Sequence, residues 1–480
     1  MLNKETYAIA TGNRHSTKAA ADILDAGGNA YDAILAALFM SFVCEPLLSS
    51  PGGGGYLLAH PDKQQPKVFD FFSQTPRNKS LSDKDFYPIQ GDFGATSQEF
   101  HIGMAAAAVP GVPAGIHAIH NHHGSMPLIE CASAAIEKAK KGIKVDKLFA
   151  EVVKISTPIL DSSCYAKAIF SNDLNQPLTR GDIKSNPHLA TFLTHFANNP
   201  MDWFYFDTPA EHIVRDMGHN NGLLSQKDFE SYQVIIRQPL ETKIKNWKIL
   251  TNSTPTTGGL LITEQLKHAA NSQIQDQHLR LIQAMQYAEQ LKNQQPFQSS
   301  KGTTHMSVID ADNNVASLTV SNGEGCGYVV PNSGFMLNNF LGEEDINTGG
   351  FFNFKENTRM ASMMSPTILE NNEIRIALGT GGSNRIKTAM FQVIWKLIAE
   401  NKTLDQAINH PRFHFENKQL EIEKGFSKQT IKHLQQQYPN TNLWNARSLY
   451  FGGINAVQHG SKNLAIGDSR RRGVGLVRLQ

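Results

Sequence analysis

A pair of threonines, Thr303 and Thr304, stands where a polar stretch of the chain gives way to a strand-like segment. The polar stretch, KNQQPFQSSKG, runs from Lys292 to Gly302, and the segment after it reads TTHMSVI. A threonine hydroxyl is a weak nucleophile unless a base stands beside it, and one base that proteins use is the threonine's own free α-amine. An internal threonine has that amine only after the preceding peptide bond is broken. The pattern therefore predicts a chain that cuts itself between Gly302 and Thr303.

A second hydroxyl is predicted beside Thr303. The segments TTHMSVI and VASLTVS, joined by DADNN, are typical of an antiparallel hairpin, and a register with Ile309 opposite Val315 places Ser321 opposite Thr303. Directly opposed side chains share one face of a sheet, with Cβ atoms about 5 Å apart. A solvent-facing ladder of threonines and serines is the alternative for the hairpin taken alone. The polar stretch before it favours the nucleophile.

The segment ALGTGGSNRIKTAM predicts a strand, a turn at Gly381 and Gly382, and a helix from about Asn384. Free backbone N–H groups at a helix N-terminus make an anion site. Such a site is expected to serve as an oxyanion hole or as a pocket for a substrate carboxylate. A phosphate loop is the alternative, but the GxGxxG spacing is absent.

Helices and strand pairs on both sides of these residues predict a layered α/β/β/α arrangement. Near the N-terminus, one helix is expected between Ser16 and Gly27, and a second from about Ala30 to Val43. The strand pairs expected in the C-terminal third are 304–309 with 315–321 and 366–370 with 373–378. Further helices are predicted to begin at Pro127, Gly258, Leu279 and Asn384.

The composition of the 480 residues excludes several classes of protein. A hydrophobic content of 40% is ample for a large core. A formal net charge of +2 leaves no basic surplus to hold nucleic acid. The densest basic cluster, SRRRG at Ser469 to Gly473, is interpreted as a solvated or salt-bridged face.

The chain is predicted to be cytoplasmic. Its four cysteines are widely spaced without a CxxC motif, which favours free thiols in a reducing compartment. The opening stretch, MLNKETYAIATGN, lacks the apolar region of a signal peptide. The most apolar segment, from Ala30 to Val43, is too short to cross a bilayer and predicts a buried helix.

Two further motifs do not predict a cofactor. The segment IHAIHNHHG holds four histidines, but no carboxylate or cysteine lies nearby in the sequence to complete a metal site, so an exposed helix end is favoured. The four glycines from Gly52 to Gly55 precede a strand and lack the Lys-Ser/Thr of a phosphate loop, so a closely packed backbone turn is expected. We predict neither a metal nor another cofactor.

Taken in order along the chain, the motifs resemble the gamma-glutamyltranspeptidase family of N-terminal-nucleophile hydrolases. This resemblance implies an α+β fold, a four-layer αββα sandwich. It also implies a large chain, 1–302, and a small chain, 303–480, which stay together as one structural unit. The motifs that carry the resemblance are AAADILDAGGNAYDAILAAL, PGGGGYLLAH, TNSTPTTGGLLI, TTHMSVIDADNNVASLT, GFMLNN, SMMSPTIL, GTGGSNRI and HPRFHFE.

The resemblance also implies roles for particular residues. The family's nucleophile falls on Thr303, and its second hydroxyl falls on Ser321. The glycine pair of its oxyanion hole falls on Gly381 and Gly382. One of its two carboxylate-binding serines falls on Ser362.

Three positions depart from the family pattern. The second carboxylate-binding serine is Met363, the arginine that grips the substrate α-carboxylate is Phe72, and a usual glutamine is Phe340. Arg359 and Arg385 are the candidates for a stand-in cation. An altered pocket lined by Phe72 and Phe340 is the alternative.

The amine of a gamma-glutamyl substrate needs a carboxylate, and the resemblance places one at the acidic cluster of Glu343, Glu344 and Asp345. A solvated acidic loop is the alternative for any single member. The segment SNGEG takes the place of one that supplies an asparagine in the family. It makes Asn322 and Glu324 candidates for contact with the substrate.

The resulting hypothesis is a zymogen that matures by autocatalytic cleavage into a hydrolase and acyltransferase. Its acyl-enzyme forms on Thr303, and its first expected substrates are glutathione and related gamma-glutamyl amides. An amidase of the same fold for another acyl group is one alternative, and a non-catalytic binding relative is another. The expected partners are the small-molecule amide and the two fragments of one precursor.

Overall fold

The computed structural model of the protein describes residues 6–79, 82–92, 97–199, 201–294, 302–344, 346–347 and 349–479. Most of the predicted linker between Lys292 and Gly302 lies outside these residues, and so does Asp345. Their predicted roles therefore stay predictions.

The helices are distributed along the whole chain. In chain order they are α1 (Arg14–Asp25), α2 (Ala30–Cys44), α3 (Val112–His123), α4 (Leu128–Lys141), α5 (Lys147–Ile155), α6 (Thr157–Leu160), α7 (Cys164–Ile169), α8 (Pro187–Asn198), α9 (Asp202–Phe206), α10 (Thr208–His219), α11 (Gln226–Glu230), α12 (Gly258–Asn271), α13 (Gln277–Gln294), α14 (Arg385–Ile398), α15 (Leu404–Asn409) and α16 (Lys428–Gln437).

The strands are concentrated at the N-terminus and after residue 235. In chain order they are β1 (Thr6–Thr11), β2 (Gly54–His60), β3 (Lys67–Phe71), β4 (Tyr87–Asp92), β5 (Ser97–Ile102), β6 (Ile143–Lys144), β7 (Ile183–Lys184), β8 (Ile235–Arg237), β9 (Leu240–Ile244), β10 (Trp247–Thr251), β11 (Thr303–Ile309), β12 (Val315–Ser321), β13 (Thr367–Glu370), β14 (Arg375–Gly379), β15 (Phe413–Glu416), β16 (Gln419–Ile422), β17 (Thr441–Leu443), β18 (Asn455–His459), β19 (Leu464–Gly467) and β20 (Val474–Leu479).

Two antiparallel sheets form the centre of the molecule. Within the described ranges, the first sheet has seven strands in the order β20-β1-β11-β12-β2-β3-β8. The second has six, in the order β19-β18-β14-β13-β10-β9. In the first sheet, β1 from before residue 302 therefore lies between β20 and β11 from after it, and β12 from after it pairs with β2 from before it.

The side chains on the two faces of β11 pack into two different hydrophobic cores. Met306 and Val308 pack in a core with α1, α2 and α4, whereas Ile309 packs in a second core with strands of the other sheet and with α12 and α14. Successive residues of a strand point to opposite faces, so one strand serves both cores. Helix α2 is buried along its whole length, which explains its nearly uniform apolar sequence. The predicted αββα sandwich is confirmed.

The predicted hairpin, helix α14 and glycine turn are also confirmed, whereas α1 begins before Ser16, at Arg14, because Asn13 caps it. The hairpin pairs Ile309 with Val315 and continues without a slip to Thr303 opposite Ser321. Helix α14 follows an N-cap at Asn384. The four-glycine turn packs closely, because a Cβ on Gly53 would collide with the carbonyl oxygen of Ser321.

Other features bear on partners. No helix among the described residues is both long and apolar enough to cross a membrane. The cysteines in these residues are free thiols, and only Cys164 is exposed. The histidine-rich end of α3 is less exposed than expected, because His117 packs edge-on against Phe196 and His123 stacks on Tyr31.

Candidate active site

The bond predicted to be cut is held at the start of the central hairpin. Thr303, which is 1% exposed, lies directly opposite Ser321 at the end of β12. The carbonyl oxygen of Gly302 accepts a hydrogen bond from Ser321 Oγ at 2.5 Å and one from the Asn322 N–H at 3.3 Å. The N–H of Gly323 donates in turn to Ser321 Oγ at 3.1 Å. Two donors therefore polarise the carbonyl next to Thr303.

The space around Gly302 admits no side chain. A Cβ atom built there would collide with the carbonyl oxygen of Gly323 and would lie 3.3 Å from that of Leu47. The small residue before Thr303 is therefore required by packing.

The glycine turn after β14 lies against Thr303. A Cβ on Gly381 would collide with the Thr303 carbonyl oxygen, and Gly382 has a φ of +138°, which side chains rarely adopt. The turn leads directly into the N-terminus of α14, where anions bind favourably. The structure thus places Gly381 against the Thr303 carbonyl with Gly382 next to it, and their role as an oxyanion hole stays a prediction.

Arg471 contacts the backbone of Thr303, which the sequence did not indicate. Its Nη1 donates to the Thr303 carbonyl oxygen at 3.1 Å. Burial lowers its pKa to about 10, and the nearby charge of Arg385 acts in the same direction. Only part of the basic cluster is therefore a salt-bridged face: Arg470 forms an ion pair with Glu423 at 2.5 Å.

Arg385 and Arg359 have different surroundings, although both were considered as stand-in cations. Arg359 is buried, and its Nη1 donates to Asp70 Oδ1 at 2.9 Å and to the Asp70 carbonyl oxygen at 2.6 Å. Its guanidinium also lies over the ring of Tyr232. Arg385 is instead partly exposed near Arg471, and its Nε donates to the Tyr450 carbonyl oxygen at 3.3 Å.

An aromatic wall includes Phe72, the position at which the resemblance implies an arginine. Phe72 and Phe340 are fully buried with ring centroids 4.7 Å apart, and Tyr56 stacks on Phe72 at 5.6 Å. The wall is close to the hydroxyl pair, because Gly54 is the cross-strand neighbour of Ser321 and a Cβ on Gly54 would lie 3.0 Å from the Phe72 ring. This side of the site is apolar.

The acidic cluster divides between the interior and the surface. Glu343 is 1% exposed, and a Cβ built on Gly323 would lie 2.5 Å from its Oε1. Glu344 is exposed. Glu343 is therefore the described member that reaches the Ser321 end of the hairpin.

The remaining substrate candidates line the same end of the sheets. The Asn322 side chain is buried and donates to the Met336 carbonyl oxygen, and the Glu324 N–H donates to Asn339 Oδ1 at 2.9 Å. The segment before β13 supplies Ser362, whose Oγ accepts from the N–H of Met364 at 3.1 Å. Met363 lies in the core between the sheets.

His305 was not recognised in the sequence as part of the site. It lies on the same face of β11 as Thr303, with its ring nitrogens 2.8 Å from the hydroxyls of Thr319 and Ser307. Burial lowers its pKa to about 3, so the imidazole is neutral at physiological pH. Its position indicates that it orients buried hydroxyl groups. The one feature of the sequence that could have pointed to it is its place two residues after Thr303.

Comparison with known proteins agrees with this geometry. The sequence profile described as Gamma-glutamyltranspeptidase matches residues 16–295 and 261–477. The Glutathione hydrolase proenzyme of Escherichia coli (strain K12) is 28% identical over 89% of this chain and 84% of its own length. The Capsule biosynthesis protein CapD proenzyme of Bacillus anthracis is 25% identical over 98% and 91%.

Solved structures show the same fold. The cephalosporin acylase from Bacillus halodurans superposes with a TM-score of 0.83 at 19% identity, covering 98% of this chain and 96% of that one. The Helicobacter pylori gamma-glutamyltranspeptidase gives a TM-score of 0.52 at 24% identity over 58% and 81%. With a profile match that spans most of its length, this chain belongs to the gamma-glutamyltranspeptidase family.

Proposed function

We propose that the protein is a proenzyme that cuts itself between Gly302 and Thr303 and then works as an amidohydrolase or acyltransferase through Thr303. The observation that carries the proposal is the hydrogen bond from Ser321 Oγ to the Gly302 carbonyl oxygen, made beside Thr303 in a fully buried hairpin end. The names of the curated relatives, which are proenzymes, support it.

Self-cleavage follows from this arrangement. The Thr303 hydroxyl oxygen attacks the Gly302 carbonyl carbon, and the C–N bond breaks to leave an ester and a free α-amine. Negative charge that develops on the Gly302 oxygen is stabilised by the Ser321 hydroxyl and the Asn322 N–H. Water then hydrolyses the ester, which yields a Gly302 carboxylate and restores the Thr303 hydroxyl.

The freed amine supplies the base for turnover. With a reference pKa of about 8, it takes the hydroxyl proton of Thr303 as the oxygen attacks the substrate carbonyl. The leaving amine departs with a proton, and the acyl group stays on Thr303 as an ester. The N–H groups of Gly381 and Gly382 are the proposed donors to the oxyanion. Water or a second amine then takes the acyl group.

Gamma-glutamyl amides, glutathione among them, are the first substrates that we propose. Glu343 would accept the substrate's α-ammonium, because it is a buried carboxylate at the Ser321 end of the hairpin. Arg385 and Ser362 would face the α-carboxylate. A second candidate is an acyl group without a carboxylate, which the aromatic wall of Phe72 and Phe340 favours.

A denaturing gel tests the maturation step. The wild type should separate into fragments of about 33 and 20 kDa, in proportion to 53.0 kDa for 480 residues. Thr303→Ala should remain one chain, because no hydroxyl is left to attack Gly302, and Thr303→Ser should cleave more slowly. Clean processing of the alanine variant would refute Thr303 as the nucleophile. An uncut wild type would point instead to a binding relative.

A further inference from the structure

The face of β11 away from the hydroxyl pair carries a buried acid. Thr304 Oγ1 donates to Glu45 Oε1 at 3.0 Å, and Glu45, which follows α2, is only 6% exposed. Gly12, just after β1, leaves room for this contact: a Cβ there would lie 2.6 Å from Glu45 Oε1 and 2.7 Å from Thr304 Oγ1. The ends of three elements thus enclose one carboxyl group directly behind the nucleophile.

The second oxygen of this carboxyl group, Glu45 Oε2, is buried and has no hydrogen-bond partner among the described residues. A buried carboxylate oxygen without a partner is costly, so a purely structural role is a poor explanation for it. If the only role of Glu45 were to accept the hydrogen bond from Thr304, a neutral acceptor would be sufficient.

Arg471 links Glu45 to Thr303 by a second route. The negative charge of Glu45 helps to keep the Arg471 guanidinium protonated, and that guanidinium donates to the Thr303 carbonyl oxygen. The other groups that face Glu45 are Asp146 at the N-cap of α5 and the neighbouring thiol of Cys44. Burial raises the pKa of that thiol well above its ordinary value, so it stays neutral.

We propose that Glu45 is a positioning residue for Thr303. In its ionised form it holds Thr304 and keeps Arg471 on the Thr303 carbonyl, and self-cleavage requires this form. The proposal rests on the proposed function, because it needs Thr303 to be the nucleophile.

The protonation of Glu45 gives the proposal a measurable signature. Burial raises its pKa to about 7, and the charge of Asp146 contributes, whereas the Thr304 hydroxyl and Arg471 act in the opposite direction. For such a group, the ionised fraction rises about tenfold between pH 6 and pH 8. In the precursor the Thr303 nitrogen is an amide and does not titrate. The cleavage rate therefore reports on Glu45 without interference from the α-amine.

The experiment follows first-order cleavage of full-length precursor, made by cell-free synthesis, on denaturing gels from pH 5.5 to 9. Wild type should cleave about tenfold faster at pH 8 than at pH 6. Glu45→Gln keeps an acceptor for Thr304 but should lose this pH dependence and cleave at least about tenfold more slowly at pH 8. Thr304→Val should be slow as well, and Thr304→Ser should recover most of what the valine variant loses.

Asp146→Asn provides a test that leaves Glu45 in place. Without the negative charge of Asp146, the Glu45 carboxylate ionises more readily, so the rise in cleavage rate should move to lower pH. An unchanged midpoint in Asp146→Asn, or the wild-type rate and pH profile in Glu45→Gln, would overturn the proposal while leaving Thr303 as nucleophile. A wild type that never cleaves would overturn both proposals.

Discussion

Replacing Ser321 with alanine should slow self-cleavage without unfolding the protein. The serine hydroxyl donates to the Gly302 carbonyl oxygen at 2.5 Å and accepts from the Gly323 N–H. Its loss leaves the carbonyl with the Asn322 N–H alone, at 3.3 Å. A buried hydrogen bond of this kind contributes about 1–3 kcal/mol, which corresponds to a rate about 5 to 160 times lower. We expect the half-time of cleavage to lengthen by that factor.

Ser317→Ala is the matched control for this variant. Ser317 lies four residues earlier on the same strand and face, is equally buried, and donates to the Leu378 carbonyl oxygen at 3.4 Å. Both variants lose one buried serine hydroxyl, so they share any general cost in stability, which thermal unfolding would measure. Time-resolved gels should show near-wild-type cleavage for Ser317→Ala and slow cleavage for Ser321→Ala. Equal rates in the two variants would refute the role assigned to Ser321.

Three further predictions concern the oxyanion turn, a buried ion pair and the substrate. Gly381→Ala should abolish cleavage on gels because its Cβ collides with the Thr303 carbonyl oxygen, whereas Gly218→Ala, with nothing within 4 Å of its Cβ, should cleave normally. Arg359→Met should reduce the free energy of unfolding by about 1.5–3 kcal/mol because it removes one of two arginines bonded to buried Asp70, with Arg237 remaining. A wild-type denaturant midpoint would contradict this. The last prediction compares kcat/KM for a gamma-glutamyl anilide with kcat/KM for the same compound carrying an amidated α-carboxylate. The ratio should be near one if the aromatic wall has replaced carboxylate recognition. A preference beyond about a hundredfold, about 2.7 kcal/mol, would show that another cation binds the α-carboxylate.

The hairpin and the glycine turn could be predicted because their patterns are local. Alternation with a period of two residues sets the pairing of a strand once one pair is known, and a loop of five residues left little choice of register from Ile309 back to Thr303. The Gly-Gly turn before α14 could be predicted for the same reason, since a strand, two glycines and a helix follow one another directly.

The surroundings of Thr303 depend on distant parts of the chain. Glu45 is 259 residues from Thr304, and Arg471 is 168 residues from Thr303. A charged residue is usually exposed, and a single sequence does not show which acid or arginine the fold will bury. For the same reason, Arg359 could not be distinguished from Arg385 until the contact with Asp70 was seen.

The order of strands in the first sheet has a consequence for how such a protein can be made and removed. β11 lies between β1 and β12, β12 pairs with β2, and β20 pairs with β1. Backbone hydrogen bonds of the sheet therefore join residues before the proposed cut to residues after it. Two fragments joined in this way cannot part or swap partners without breaking the central sheet. The fold must therefore be complete before the cut, and after the cut the two fragments persist and are degraded together. In the cell, a damaged fragment would be replaced only by synthesis of a whole new precursor.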